Sequence, residues 1–363
     1  MGQPGFFDLQ HRYEGLDAHG DPLVAILAAV PFEMFRVKLK TALIKGGLRR
    51  SEADRKSAAG RKPWDEVLIF KVVVLAKRCT ICRMTRWNTS CATGSRSCAL
   101  SGLAWRTRCP MPRRCGSIAK RWPVRARSRS CSICLTAISR PRAIWPNLRP
   151  ARRLTAGGGQ IIDATIVAAP RQRNSRGDNV TVKSGKTPTE WEKKPAKNRQ
   201  KDKDARWTKK HGRSHFGYKN HVCIDRRHKL VRRYAVSSAS VHDSQKLEDL
   251  LDPGNTASRV WADSAYRSKE AEERLAARGF TSRIPRRGCR NKPLTAREEA
   301  SNETRSSVRA RVEHVFGSQH TNMGGKLVRT IGIVRTTAKI GMQNLACNMR
   351  RLIVLDRSAL AAG

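Results

Sequence analysis

Between Gly157 and Pro170 the chain reads GGGQIIDATIVAAP, an apolar, β-branched run with an aspartate set into its middle. Ile161 and Ile162 precede Asp163, and Ile166 and Val167 follow it, with only Ala164 and Thr165 between. Glycines before and a proline after mark such a run as a buried strand. Aspartate is depleted from strands and costly to bury unless a cation or hydrogen-bond donors meet its charge. The stretch therefore demands a sheet core with a reason for a carboxylate inside it. A strand-end turn cap or an arginine ion pair would be reason enough. A functional site is the third possibility.

The rest of the chain is built for a polyanion. It carries a net charge of +45, with a pI near 11.2. Lysine and arginine release counterions from phosphates on binding, so DNA or RNA is the expected partner and an anionic membrane surface the rival. No run of about 18 apolar residues suggests a spanning helix. The opening MGQPGFFDLQ lacks the basic-then-apolar order of a signal peptide, and Phe6 stands where myristoylation wants Ser or Thr. We expect an intracellular, soluble protein without a membrane partner. Its 363 residues allow two or three domains.

Residues 1–77 read as a small helical domain. Asp21-Pro22 opens an apolar run from Leu23 through Leu43 to Gly46-Gly47; a basic linker follows, and Pro63 opens a second helix through Leu75. Short helices with basic connections suit a DNA-binding domain, and equally a plain packing bundle.

Residues 78–157 are anomalous. From Arg78 to Gln160 there are 17 Arg, one Lys and no acid, which is 18 of the 45 net charges. Eight of the eleven cysteines and four of the eight tryptophans also fall here. No helical or alternating period persists. Arg, Cys, Ser, Pro and Trp are what a GC-rich coding strand yields in the wrong frame, so two compensating frameshifts are the favoured explanation. A disordered arginine-rich arm is one alternative. A zinc module on Cys79-x2-Cys82 and Cys131-x2-Cys134 is another, although its pairs lie 48 residues apart, wider than the usual spacing of about 15–20. Without the segment the chain still carries +27, so the nucleic-acid inference stands.

After the Asp163 strand, Arg171 to Ser214 reads as a polar, flexible excursion, with Trp191 and Trp207 as anchors. HFGYKNHVCID and KLVRRYAVSSAS form a hairpin. A helix through Leu247, Leu250 and Leu251, a short strand ending in Asp263, a helix stopped by Gly279, another short strand and two late helices complete a mixed α/β order. Trp261 reads as core packing rather than base stacking.

Three carboxylates stand in unusual settings. Asp163 interrupts an apolar strand. Asp263 lies at a strand end, where α/β sheets place their sites. Glu313 borders the Val308, Val312, Val315 and Phe316 stripe of its helix and should face inward; its simpler role is an i,i+4 ion pair with Arg309. Convergent carboxylates beside a polyanion suit two Mg²⁺ or Mn²⁺ ions about 3.5–4 Å apart, which activate an attacking oxygen and stabilise a leaving one. That is phosphodiester chemistry.

The segments GGQIIDATIVAAPRQRN, FGYKNHVCIDRRH, VWADSAYRS and RSSVRARVEHVFGSQ resemble those of DDE transposases of bacterial insertion sequences, close to insertion-sequence family five. The resemblance covers residues 1–77 and about 158–355. It implies an RNase-H-like mixed sheet flanked by helices, preceded by the helical DNA-binding domain, with Asp163, Asp263 and Glu313 as catalytic triad and metal ligands. The family's late helix reads Tyr, two residues, Arg, three residues, Glu, six residues, Lys; here Arg309 and Glu313 fit, while Ser306 and His320 replace the Tyr and Lys. Arg309 and His320 are thereby implied as DNA contacts, with Lys219, His221 and His242 as further substrate-positioning residues; for His242 a plain helix N-terminal role is the simpler alternative.

The resemblance further implies double-stranded DNA partners (terminal inverted repeats and target), a homodimer in the synaptic complex, and a cytoplasmic, nucleoid-associated location. A transposase whose central segment lost its frame would be inactive as written. An RNase-H-like nuclease without joining activity, and a non-catalytic basic nucleic-acid-binding protein, remain the alternatives.

Overall fold

A computed structural model describes residues 26–27, 29–45, 65–78, 156–290 and 293–360. Leu23, the Gly46-Gly47 stop, the basic linker, Pro63 and the anomalous segment between residues 79 and 155, all eight of its cysteines included, lie outside the described residues. The chain divides into two compact units. One holds the described residues up to 78 and residues 345–360; the other holds residues 156–344.

In the first unit a 3-10 turn, Phe32–Phe35, leads into α1 (Arg36–Lys45), and α2 spans Glu66–Arg78. Aromatic packing joins them. The Phe35 and Phe70 ring centroids lie 4.9 Å apart, and Phe32 meets Phe70 at 6.1 Å. Asp65 caps α2 by accepting the Leu68 N–H at 2.9 Å and pairs with Arg36, the first residue of α1.

The second unit runs β1 (Gln160–Ala168), α3 (Arg176–Lys183), α4 (Thr189–Lys193), α5 (Pro195–Gln200), β2 (Arg206–Lys210), β3 (Arg213–Asp225), β4 (Val231–Ser238), α6 (Leu247–Leu250), β5 (Arg259–Trp261), α7 (Lys269–Ala277), β6 (Thr281–Ser282), α8 (Ala296–Arg309) and α9 (Glu313–Asn322). The long α10 (Ile333–Leu360) starts in this unit and ends in the other. Six strands make one mixed sheet, five of them in the order β2-β3-β1-β5-β6 and β4 pairing with β3 off that path. β2 pairs with the first residues of β3, and β4 with its later ones, along the edge that β1 leaves open. β3 runs antiparallel to β1, and β5 parallel to it.

β1 forms where the sequence predicts it. Ile161 and Ile162 have no exposed surface, and burying side chains of this size contributes about 2–3 kcal/mol each. The glycines before the strand have a steric cause. Gly159 sits at φ +94°, and a Cβ there would lie 2.4 Å from the Trp261 ring and 2.7 Å from the Arg259 carbonyl. Trp261 itself is 5% exposed, with the Arg226 guanidinium 5.2 Å from its ring centroid. Core packing is its role.

The two sheet faces bury different clusters. On one, Ile162 and Cys223 pack with Leu247, Leu250 and Leu251 around α6, and with Ala271 and Leu275 of α7. On the other, Val167, Phe216 and Tyr218 pack with Val328 and Ile340. Opposed residues in the β1–β3 ladder point to the same side, so Asp163, Thr165 and Val167 share this second face with Val222, Asn220 and Tyr218. Ala164 and His221 point to the first face.

The stretch from Arg171 to Ser214 is not the flexible excursion that its polarity suggests. It contains α3, α4, α5 and β2, tied down from inside. Trp191 is fully buried, and Ser175 closes a capping box with Asp178. Buried Asp202 accepts the Tyr218 hydroxyl at 2.7 Å and the Ala205 N–H at 3.2 Å, fastening the excursion to β3. Polar composition hid this order because the anchors are few and far apart. Tyr218→Phe removes the hydroxyl from a buried carboxylate and is expected to cost about 1–2 kcal/mol, measurable as a lower urea midpoint with unchanged slope.

Candidate active site

Parallel pairing decides the first contact of the site. Ile161 lies opposite Trp261, so the register carries Asp163, midway along β1, and Asp263, two residues past the end of β5, to the same level of the sheet, near enough for the Asp263 charge to act on Asp163. Asp163 is 8% exposed, and its Oδ1 accepts the Ala164 N–H at 2.8 Å. Asp263 is exposed just past β5 and caps the 3-10 turn Ser264–Tyr266 through the Ser264 N–H at 2.8 Å.

Arg309, the last residue of α8, donates from Nη1 to Asp163 Oδ2 at 2.6 Å, and the same nitrogen is 3.8 Å from Glu313 Oε1. The arginine partner foreseen for a buried Asp163 is therefore present, as is the i,i+4 approach to Glu313. Burial pushes the Asp163 carboxyl up to about 6; the Ala164 amide and Arg309 oppose the rise, and the Glu313 and Asp263 charges add to it. Glu313 does not face inward as its sequence pattern suggests, since its side chain is 61% exposed. A 3-10 turn, Ala310–Val312, separates α8 from α9. Val312, Val315 and Phe316 are buried as their stripe predicts, while Glu313, at its border, stays at the surface.

The five basic candidates fall in different places. His320 on α9 reaches the Asp163 face of β1, its Nε2 3.4 Å from Thr165 Oγ1. Burial and the Lys326 charge lower its pKa, Glu313 opposing, so at neutral pH it carries no charge for a phosphate. Arg309 is spent on carboxylates rather than free for DNA. Lys219 and His221 lie on the opposite sheet face by register. Lys219 Nζ pairs with Asp243 Oδ1 at 2.9 Å and donates to the Val241 carbonyl at 2.8 Å. His221 is wholly buried, with Nε2 2.8 Å from Ser237 Oγ, and burial pushes its pKa down to about 4. A side chain with no exposed surface does not itself touch a phosphate. Exposed His242 caps the turn Asp243–Lys246 through its own ring, the N-terminal role foreseen as the simpler one.

Two arrangements escaped the sequence. Tyr266 is 1% exposed and its hydroxyl has no polar partner among the described residues. Burial raises its pKa, and the charges of Asp243, Asp163 and Asp263 raise it further, so it stays a neutral hydroxyl beside the carboxylates. Second, Asn220, Gln319 and Asn344 form a buried amide triangle: Asn220 Nδ2 donates to Asn344 Oδ1 at 3.1 Å, and Gln319 Nε2 to the same oxygen at 2.8 Å. The triangle fixes α9, and with it Glu313 and His320, against the strand beside β1. Amides on otherwise apolar faces were the available signal.

The donor set suits a hard divalent cation. Asp263 and Glu313 are both close enough to raise the Asp163 pKa, and the repulsion among the three carboxylates is of the kind that a cation relieves. The cage is nonetheless open: among the described residues no three acidic, histidine or cysteine side chains gather closely enough to enclose an ion.

Residues 155–349 match the family model described as the transposase DDE domain. That is more than half of the chain. The chain belongs to the DDE transposases. Its likeness to the transposase for insertion sequence element IS1106 from Neisseria meningitidis serogroup B is 30% identity over 192 residues, 52% of this chain and 63% of that one. The match thus spans less than two thirds of the relative's length. The cryo-EM structure of the piggyBac transposase synaptic complex with hairpin DNA aligns over 94% of this transposase and 76% of that chain, at 11% identity and a TM-score of 0.45. An overlap that loose carries no argument. Among the described residues of the transposase, no helix is long and apolar enough to cross a membrane.

Proposed function

We propose that residues 158–355 form an RNase-H-like catalytic domain that cuts double-stranded DNA at the terminal inverted repeats of an insertion sequence and joins the freed 3′ ends to target DNA. The reading is carried by the parallel register that brings Asp163 and Asp263 to the same level of the sheet, with Glu313 within electrostatic reach of Asp163. Asp163, Asp263 and Glu313 would hold two Mg²⁺ or Mn²⁺ ions, which supply Lewis acidity to the attacking and leaving oxygens. The chain's own part is to keep those oxygens in place: β1 burial and the Ala164 amide orient Asp163, the Ser264 amide orients Asp263, and Arg309 balances charge between Asp163 and Glu313. Residues 1–77 bind the repeats in this reading, and two copies of the chain, in the cytoplasm near the nucleoid, pair the ends. Membership of insertion-sequence family five rests on the motif resemblance alone.

The chain as written is, on the same reading, a decayed copy. Residues 78–157 replace helices that would join the two working parts, and the family match begins at residue 155, beside the point where apolar patterning returns. A gene with its frame restored across codons 78–157 tests both halves of the proposal. Each protein is incubated with Mg²⁺ and DNA carrying the element's ends, and nicked and joined products are counted. The restored protein is expected to cut and join, and the chain as written to do neither. Cutting by the chain as written overturns the decay; cutting without joining by the restored protein points to a nuclease; no cutting by the restored protein overturns the catalytic reading.

A further inference from the structure

We propose that Trp207, at the edge of the sheet, is a stacking platform for an unpaired base of single-stranded DNA. The proposal takes its polymer class from the DNA-acting reading above but uses none of the carboxylate chemistry.

Trp207 is 47% exposed although it stands in a strand, where an aromatic of its size normally buries most of its surface. Its ring is held rather than loose. Phe216, its partner across the β2–β3 ladder, packs at 5.3 Å between centroids and 48° between planes, and the Arg171 guanidinium lies 5.6 Å from the Trp207 ring centroid. A fixed, half-open indole with a cation beside it is ready to take a second flat ring.

The surroundings supply the backbone-tracking charge. Lys209 shares the Trp207 face by strand alternation, and Lys210 and Arg213 close the hairpin at the turn of His211 and Gly212, both at positive φ. These three cations are exposed and have no acidic partner among the described residues. Lysines on an edge strand also discourage strands of other molecules from pairing there, which accounts for Lys209 and Lys210 but not for an open tryptophan on the same strand. Aromatic rings set among unpaired cations are the recurring design of sequence-tolerant single-strand sites.

Register also relates this platform to the proposed cutting site. Phe216 follows the same side of the sheet as Tyr218, Asn220 and Val222, and hence the side of Asp163; so does Trp207. Six residues along the strand direction and two strands across place them about 20 Å apart. Between them this face is covered by Val328 and Ile340, so the platform is a site of its own.

The test needs binding only, so it can be run on the full chain as written. A fluorescein-labelled 12-nucleotide oligothymidine and a blunt duplex of the same length are titrated with the parent, Trp207→Ala and Trp207→Phe, and dissociation constants are read by anisotropy at fixed salt. Trp207→Ala is expected to weaken single-strand binding about 10- to 100-fold and duplex binding by no more than about twofold, with Trp207→Phe recovering most of the loss. Equal losses on both probes, or none on the single strand, overturn the proposal. So does a change in molar mass by light scattering for Trp207→Ala, because the exposed indole would then serve contacts between copies of the chain. None of these outcomes bears on cleavage, and failed cleavage by the chain leaves this binding intact.

Discussion

Asp163→Asn, introduced into the frame-restored protein, is expected to lower Mg²⁺-dependent cleavage by about a thousandfold or more and to leave affinity for the element's ends within about twofold. Asparagine keeps the volume and one acceptor oxygen, so the strand and the Ala164 amide contact survive the change. What goes is the negative charge that a divalent ion needs. Charge stabilisation by a bound cation is worth several kcal/mol, and about 4 kcal/mol at 1.36 kcal/mol per tenfold is a factor near a thousand. DNA affinity rests instead on the chain's many other cations and should barely move. Single-turnover nicking with the ends in excess gives the first quantity, and anisotropy in chelator the second. If cleavage stays within tenfold of the parent, Asp163 serves only as the buried partner of Arg309 and the catalytic reading fails. Asp263→Asn is the companion: exposed and outside the core, it should lose cleavage with little effect on folding.

The parts of this site that the sequence made legible are those set by local pattern. Ile161, Ile162, Ile166 and Val167 announce a strand, and a carboxylate among them stands out because water cannot pay its desolvation there. Asp263 follows an apolar strand closely enough for the chain order to suggest a strand-end site. The hairpin of β3 and β4, the α6 region and α7 with its Gly279 stop were similarly plain, each carrying periodicity and punctuation of its own.

What stayed hidden depends on long-range register. No local pattern reveals that Ile161 faces Trp261, although this is what brings the two aspartates to the same level of the sheet. Nor does it show that Arg309 turns toward Asp163, 146 residues away in sequence. Glu313 misled for a different reason. Val312, Val315 and Phe316 are buried as their stripe predicts, but a residue at the border of a stripe is not fixed inward by it, and Glu313 turns to the surface. Lys219 and His221 lie close to the site in sequence motif yet on the far side of the sheet, because a one-residue step in a strand reverses the face. The order within 171–214 was missed because one buried tryptophan and one buried aspartate hold a segment that is otherwise polar.

A second large effect follows from the raised carboxyl of Asp163, and it concerns folding rather than catalysis. In chelator, the unfolded chain gives up this proton near its ordinary value of 3.8, while the folded protein holds it to about 6. Between those values the folded state binds more protons, so stability falls as pH rises; below 3.8 the group contributes nothing, and above 6 its full penalty applies. Two units correspond to about 3 kcal/mol. Asp163→Asn removes that penalty but also the counter-charge of Arg309, whose side chain is 26% exposed and can turn to water. The variant is therefore expected to be more stable than the parent by about 1–2 kcal/mol at pH 8 and equal to it within about 0.5 kcal/mol below pH 4. Urea unfolding at three pH values, without divalent ions, measures the difference. Adding Mn²⁺ at pH 8 should then stabilise the parent alone, since only the ionised carboxylate rewards binding to the folded state. A difference that does not change with pH would mean that Arg309 already neutralises Asp163 in full. The charge cluster would then be a structural ion pair, with no stability sacrificed for a cation.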